Sequence, residues 1–136
     1  MERIFLLLIQ NRKEDVMKYN CKIVDIKEDE ITIKIGMTSI TGFSNNGILK
    51  QRGDTVEVEV SLYDDLEINQ CDDCNKVIVR KGNSLSYSLY GILDIDKSIL
   101  KSEIDIEIDP EELFDYGYLD GKRVKIDTVR IDLDFM

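Results

Sequence analysis

Histidine, tryptophan and alanine are missing from this 136-residue chain, and proline occurs once, at Pro110. Without histidine, the usual base for a serine or cysteine nucleophile is gone, as is the commonest neutral metal ligand. No Ser-x-x-Lys or Gly-x-Ser-x-Gly run takes its place, and neither a P-loop nor a dinucleotide fingerprint occurs. Carboxylate pairs remain for acid–base work, but nothing in their spacing selects one pair. The expectation is a protein that is not an enzyme and carries no cofactor.

Long apolar runs are lacking too. The longest, Ile4 to Ile9, falls well short of the about 20 residues a helix needs to cross a bilayer. A signal peptide is not expected, because Met1-Glu2-Arg3 has no net positive charge and Asn11-Arg12-Lys13-Glu14-Asp15 stands where a small-residue cleavage site belongs. Positive charge is scarce: 18 Lys plus Arg face 28 Asp plus Glu, a formal net charge of −10. Such a balance opposes nucleic acid phosphates and anionic lipid, so neither is an expected partner, and a basic protein is.

Cys21, Cys71 and Cys74 are too few and too unevenly spaced for a secreted disulfide framework, which points to a reducing cytoplasm. Abundant Ile, Lys, Asp, Glu and Asn suit an AT-rich, bacterial-type genome. The length suits one domain, which at this size buries roughly two-thirds of its unfolded surface without staples.

Residues 1–16 have two readings. Codons for Lys13-Glu14-Asp15 can spell AAG GAG GAT, a ribosome-binding string a few nucleotides upstream of a start at Met17, making the extension a gene-calling artefact. Alternatively Ile4, Leu7 and Leu8, at helical spacing, form a docking segment. Residues 17–136 are then a single β domain.

From Tyr19 onward apolar and polar residues alternate with period two, the signature of half-buried strands. Tyr19, Cys21, Ile23 and then Val24, Ile26 predict a first strand. Lys27-Glu28-Asp29-Glu30 predicts a turn into Ile31, Ile33, Ile35 and Met37, with a third strand from Thr38 to Phe43. Ser44-Asn45-Asn46-Gly47 reads as a tight turn. Arg52-Gly53-Asp54 spells an adhesion tripeptide but reads as a turn before Val56, Val58, Val60 and Leu62. Further strands are expected at Lys76 to Arg80, Leu85 to Ile95, Ile104 to Ile108 and Val124 to Phe135, the last with a β-bulge near Thr128. A single helical turn is expected over Pro110 to Phe114. These six or seven strands predict a mostly β fold, a small antiparallel barrel or sandwich. The opening meander followed by Gly53-Asp54-Thr55-Val56-Glu57-Val58-Glu59-Val60 resembles barrels of the OB type.

Three motifs invite chemistry. Cys71-Asp72-Asp73-Cys74 could bite zinc or form a redox pair. With no second ligand pair and no βαβ context, an acidic exposed loop over Asp64 to Asn75 is the preferred reading, and no metal is expected. Asp94-Ile95-Asp96-Lys97-Ser98 begins like a calcium loop, but Ile99 stands where its glycine belongs, so a β-turn is expected. Lastly, residues 102–121 hold Glu103, Asp105, Glu107, Asp109, Glu111, Glu112, Asp115 and Asp120 and no basic residue. Ile104, Ile106 and Ile108 alternate with the first four acids, so a strand there buries isoleucines and presents carboxylates.

Glu103, Asp105, Glu107 and Asp109, with Tyr116 and Tyr118 close by, are therefore the expected partner-binding residues. The function these features suggest is an acidic inhibitor or immunity-type protein that occludes a basic protein. An OB-like structural accessory module of a larger assembly is the alternative from another class, followed by a carboxylate- or metal-dependent enzyme.

Overall fold

The computed structural model describes residues 16–44 and 50–136. The docking segment of Ile4, Leu7 and Leu8 and the Asn45-Asn46-Gly47 turn lie outside the described residues. The described residues form eleven strands: β1 (Tyr19–Lys27), β2 (Glu30–Ile35), β3 (Thr38–Phe43), β4 (Thr55–Leu62), β5 (Glu67–Gln70), β6 (Ile78–Arg80), β7 (Tyr87–Asp94), β8 (Ile99–Lys101), β9 (Asp105–Glu107), β10 (Arg123–Thr128) and β11 (Ile131–Phe135). A 3₁₀ segment, Pro110–Leu119, joins β9 to the turn before β10.

The strands form two sheets. β1, β2, β3, β11 and β4 close into a five-stranded barrel in that order. All of its pairings are antiparallel except β3 with β11, which meet in parallel at Asp132↔Phe43. The second sheet has the order β5-β10-β7-β8-β9, with β6 also on β7. It lies in the chain between the barrel strands β4 and β11. Small β barrel is thus the fold, enlarged by a second sheet.

Period-two patterning places the core. Tyr19, Cys21 and Ile23 of β1, Ile31 and Ile33 of β2, Ile40 of β3, Val58 and Val60 of β4 and Ile131 and Leu133 of β11 line the barrel. Leu89, Leu93, Leu100, Ile106, Val124 and Ile126 do the same for the second sheet, and both sets belong to one contiguous cluster. A register shift between Ile23 and Asp25 in the β1–β2 pairing bends β1, turning Val24 out to 42% exposure.

Several expectations need correction. Met37 does not continue the Ile31, Ile33, Ile35 face. β2 ends at Ile35, Gly36 takes φ +59°, and Met37 is 85% exposed in the turn to β3. The Asp64 to Asn75 stretch is not all loop, because β5 buries Ile68 against β10. The run Lys76 to Arg80 is a strand only from Ile78. Ile99 to Lys101, unassigned by patterning, pairs with β7 as β8.

The largest correction concerns Val124 to Phe135. Its change of phase near Thr128 is no bulge within one strand. It is the break between β10 in the second sheet and β11 in the barrel, with Val129 53% exposed at the crossing. The helical turn at Pro110 is also longer than expected, running ten residues.

Candidate functional site

The acidic stretch begins where β8 turns back as β9. Ile104 is half-buried and Ile106 and Ile108 are fully buried, while Glu103, Asp105 and Asp109 are exposed and Glu107 half-exposed. β9 ends the sheet order, held by Ile99↔Glu107, Leu100↔Ile106 and Lys101↔Asp105. The isoleucine-in, carboxylate-out alternation is as expected.

The four carboxylates are not equivalent. Glu107 Oε2 accepts a 2.7 Å hydrogen bond from the Met17 backbone N–H. Asp109 caps the 3₁₀ segment, its Oδ1 accepting from the Glu111 N–H at 3.0 Å. Glu103 and Asp105 project with no side-chain hydrogen bond among the described residues. The Asp105 carbonyl oxygen accepts a 2.5 Å bond from the Tyr19 hydroxyl. Burial, together with the charges of Glu107 and Asp105 and against a backbone hydrogen bond at Glu107, pushes the Tyr19 hydroxyl up to about 12.

The 3₁₀ segment extends this surface. Pro110 and the Asp109 cap start it, and Gly117 with its aromatic neighbours, weak helix formers, suits a tight, kinked path that breaks helical geometry at Tyr116. Leu113 and Leu119 anchor it in the core. Tyr116 is half-buried against that core, and its ring centroid lies 6.4 Å from that of Tyr118. Tyr118 is 71% exposed, and Phe114 is 65% exposed. Patterning overlooked Phe114, although an aromatic-dense window of Phe114, Tyr116 and Tyr118 among acids was its available signal.

Charge is segregated. Among the described residues, none of the eight carboxylates of 102–121 forms an ion pair. The ion pairs lie elsewhere, as in Lys81 and Lys125 with Asp127, Lys101 with Asp94, and Arg130 with Asp132. Asp120 is used locally, accepting from the Ile95 N–H at 2.9 Å.

The remaining motifs resolve simply. Arg52-Gly53-Asp54 is a turn with Gly53 at φ +95°, where Asp54 accepts from the Gln51 N–H and Arg52 pairs with Asp25. Asp94 to Ser98 is the β7–β8 turn, closed by the Lys97 N–H donating to Asp94. Among the described residues no group of three or more His, Cys, Asp or Glu is placed to hold a metal. Cys71 and Cys74, read from the sequence as bystanders in an acidic loop, are joined to each other as a disulfide, and Cys21 is a free thiol buried in the barrel. No helix among the described residues is long and apolar enough to cross a membrane.

Fold and surface together define a β-barrel protein with an inserted second sheet and an acidic, aromatic-bearing edge. The chain belongs to the family described as uncharacterised conserved protein UCP019853, which matches residues 17–136. No curated protein and no solved structure matches it.

Proposed function

We propose that this chain is a non-enzymatic acidic binding protein, an inhibitor or immunity-type protein that occludes a basic protein partner through β9 and the 3₁₀ segment. One observation carries the reading: exposed Phe114 and Tyr118 stand within a stretch of eight carboxylates that has no basic residue and, among the described residues, no ion pair. Aromatic side chains supply buried contact area at an interface, and a ring of like charge accelerates encounter with a cationic partner. Crowded carboxylates repel one another in the free protein, and a basic partner relieves that repulsion.

The test is association kinetics with the protein that co-purifies from the source cell. The triple substitution Glu103→Gln, Asp105→Asn, Glu107→Gln keeps side-chain shape and removes three charges. It is expected to slow association about tenfold or more at low salt, the difference shrinking as screening reaches a Debye length of about 10 Å at 0.1 M. Phe114→Ala with Tyr118→Ala is expected to speed dissociation instead. Unchanged rates in both variants, with no salt dependence, mean that this edge is an ordinary solvated face.

A further inference from the structure

A second site lies between β5 and β6. Cys71 follows β5 directly, Cys74 stands three residues on, and their Cα atoms are 5.9 Å apart. The closed ring contains only Asp72 and Asp73 between its cysteines. A ring that small removes little freedom from the unfolded chain, so it cannot be a principal staple of the fold. Both cysteines are half-exposed and both intervening aspartates are exposed, so the ring lies at the surface where a small thiol can approach it. Accessible disulfides of this kind are the labile ones in thiol exchange. Cys21 is excluded from such exchange. It is 2% exposed inside the barrel, and burial pushes its thiol up to about 11.

Gln70 of β5, paired with Val124, donates to both oxygens of Asp72 within the ring, and Arg123 ties the loop to β10. The Cys71 N–H donates to the Arg123 carbonyl at 2.9 Å, and Arg123 Nη2 donates to the Lys76 carbonyl at 2.7 Å. Arg123 thus holds both ends of the loop. Its Nε is buried without a hydrogen-bond partner among the described residues, so the loop's path decides how well this guanidinium is satisfied. Arg123 also begins β10, directly after the turn that ends the acidic 3₁₀ segment.

We propose that Cys71 and Cys74 are a reversible thiol–disulfide exchange site, reduced by neutral or cationic thiols, whose state is transmitted to Arg123 and the start of β10. In the reducing direction a thiolate attacks one sulfur, the Cys71–Cys74 bond breaks, and a mixed disulfide forms. A second thiol resolves it, leaving two S–H groups on the protein and one disulfide joining the two reductant molecules. The two electrons and two protons gained by the protein come from those two thiols. Asp72 and Asp73 select the reductant, since their charges repel an anionic thiolate-bearing molecule and attract a cationic one.

The experiment uses the full chain with cysteamine, dithiothreitol and mercaptopropionate as probes. After oxidation by a glutathione disulfide buffer, the denatured protein is expected to show one free thiol, and three after dithiothreitol, as required by one pair plus Cys21. With each rate divided by the same thiol's rate toward a small uncharged disulfide, so that differences in thiol pKa cancel, reduction at low salt is expected to be about tenfold faster with cysteamine than with mercaptopropionate, and Asp72→Asn with Asp73→Asn should largely abolish that normalised ratio. Hydrogen exchange should change over residues 70–77 and 120–125 between the two states and stay constant in the barrel. Cys71→Ser with Cys74→Ser should melt within a few degrees of the wild type. Three thiols persisting in the oxidising buffer, disulfide-linked dimers, unfolding of the double serine variant, or an exchange pattern unchanged around Arg123 each overturn the proposal.

Discussion

The Tyr87 hydroxyl, on the second sheet, accepts a 2.8 Å hydrogen bond from the Thr41 backbone N–H, on the barrel. Both residues are buried, and the parallel meeting of β3 with β11 is confined to Asp132↔Phe43. The phenol therefore fills a place in the barrel wall where a neighbouring strand would otherwise supply the acceptor. Tyr87→Phe leaves a buried N–H unpaired and is expected to cost about 1–3 kcal/mol in urea unfolding without altering the far-UV spectrum. Loss below a few tenths of a kcal/mol would show that water or a backbone shift replaces the phenol.

At the same end of the barrel, Arg130 lies between two rings, its guanidinium carbon 4.2 Å from the centre of Phe43 and 3.8 Å from that of Tyr63. It also bonds both oxygens of Asp132, at 2.6 and 3.3 Å. A lysine has no planar fork that can stack on the two rings while making paired hydrogen bonds to the carboxylate. Arg130→Lys should lower stability by about 1–2 kcal/mol, and a matching loss in Phe43→Leu with non-additivity in the double variant identifies the stack.

Gly91 decides whether the acidic edge is attached properly. A Cβ there would collide with the Lys101 carbonyl group, its carbon only 2.9 Å away, because the chain leaving β8 after the Ile92↔Lys101 pair passes close against Gly91. Gly91→Ala should destabilise by about 3 kcal/mol and increase hydrogen exchange chiefly in β8 and β9, which hang from β7. Partner association should weaken in parallel, since β9 carries Asp105 and Glu107.

Alkaline stability should be governed by β1. Burial raises Tyr19 from 10.0 to about 12 and Cys21 from 9.0 to about 11. A folded value above the unfolded one means the stabilising term is complete below the unfolded value and is lost as pH climbs through the folded one. Stability should therefore decline from about pH 9 to pH 12, by on the order of 2 kcal/mol for each group. Tyr19→Phe and Cys21→Val should flatten the pH profile of the urea midpoint, and an unchanged slope in the double variant would remove both groups from the explanation.

Initiation at Met17 makes a prediction of its own. In a chain begun there, the Met17 nitrogen is an α-ammonium, and the 2.7 Å contact with Glu107 becomes an ion pair. Glu107→Gln should cost about 0.5–1 kcal/mol more in that chain than in the 136-residue chain. Intact mass of the protein from its source cell reports the start directly, and a retained Met1 ends the artefact reading.

Local chemistry was legible in the residues themselves. Alternation of Ile31, Ile33 and of Val58, Val60 marked strands and their inward faces, Gly53 marked a turn, and Ile104, Ile106 and Ile108 set the carboxylates outward. Those features depend on side-chain period and backbone freedom within a few residues, which a sequence displays. A break and a bulge, by contrast, produce the same change of phase, so Thr128 to Ile131 could not be read as a passage from one sheet to another.

Sequence alone determined that this protein is acidic, lacks histidine chemistry and builds a β core from period-two strands, because composition and alternation need no partner in space. Only the tertiary structure decided that β4 and β11 sit side by side with 68 residues, 63–130, between them, that Tyr87 completes the barrel wall, and that Cys71 answers to Arg123. Those are contacts between segments far apart in the chain, selected by burial and hydrogen-bond satisfaction over the whole fold, and no local pattern encodes them.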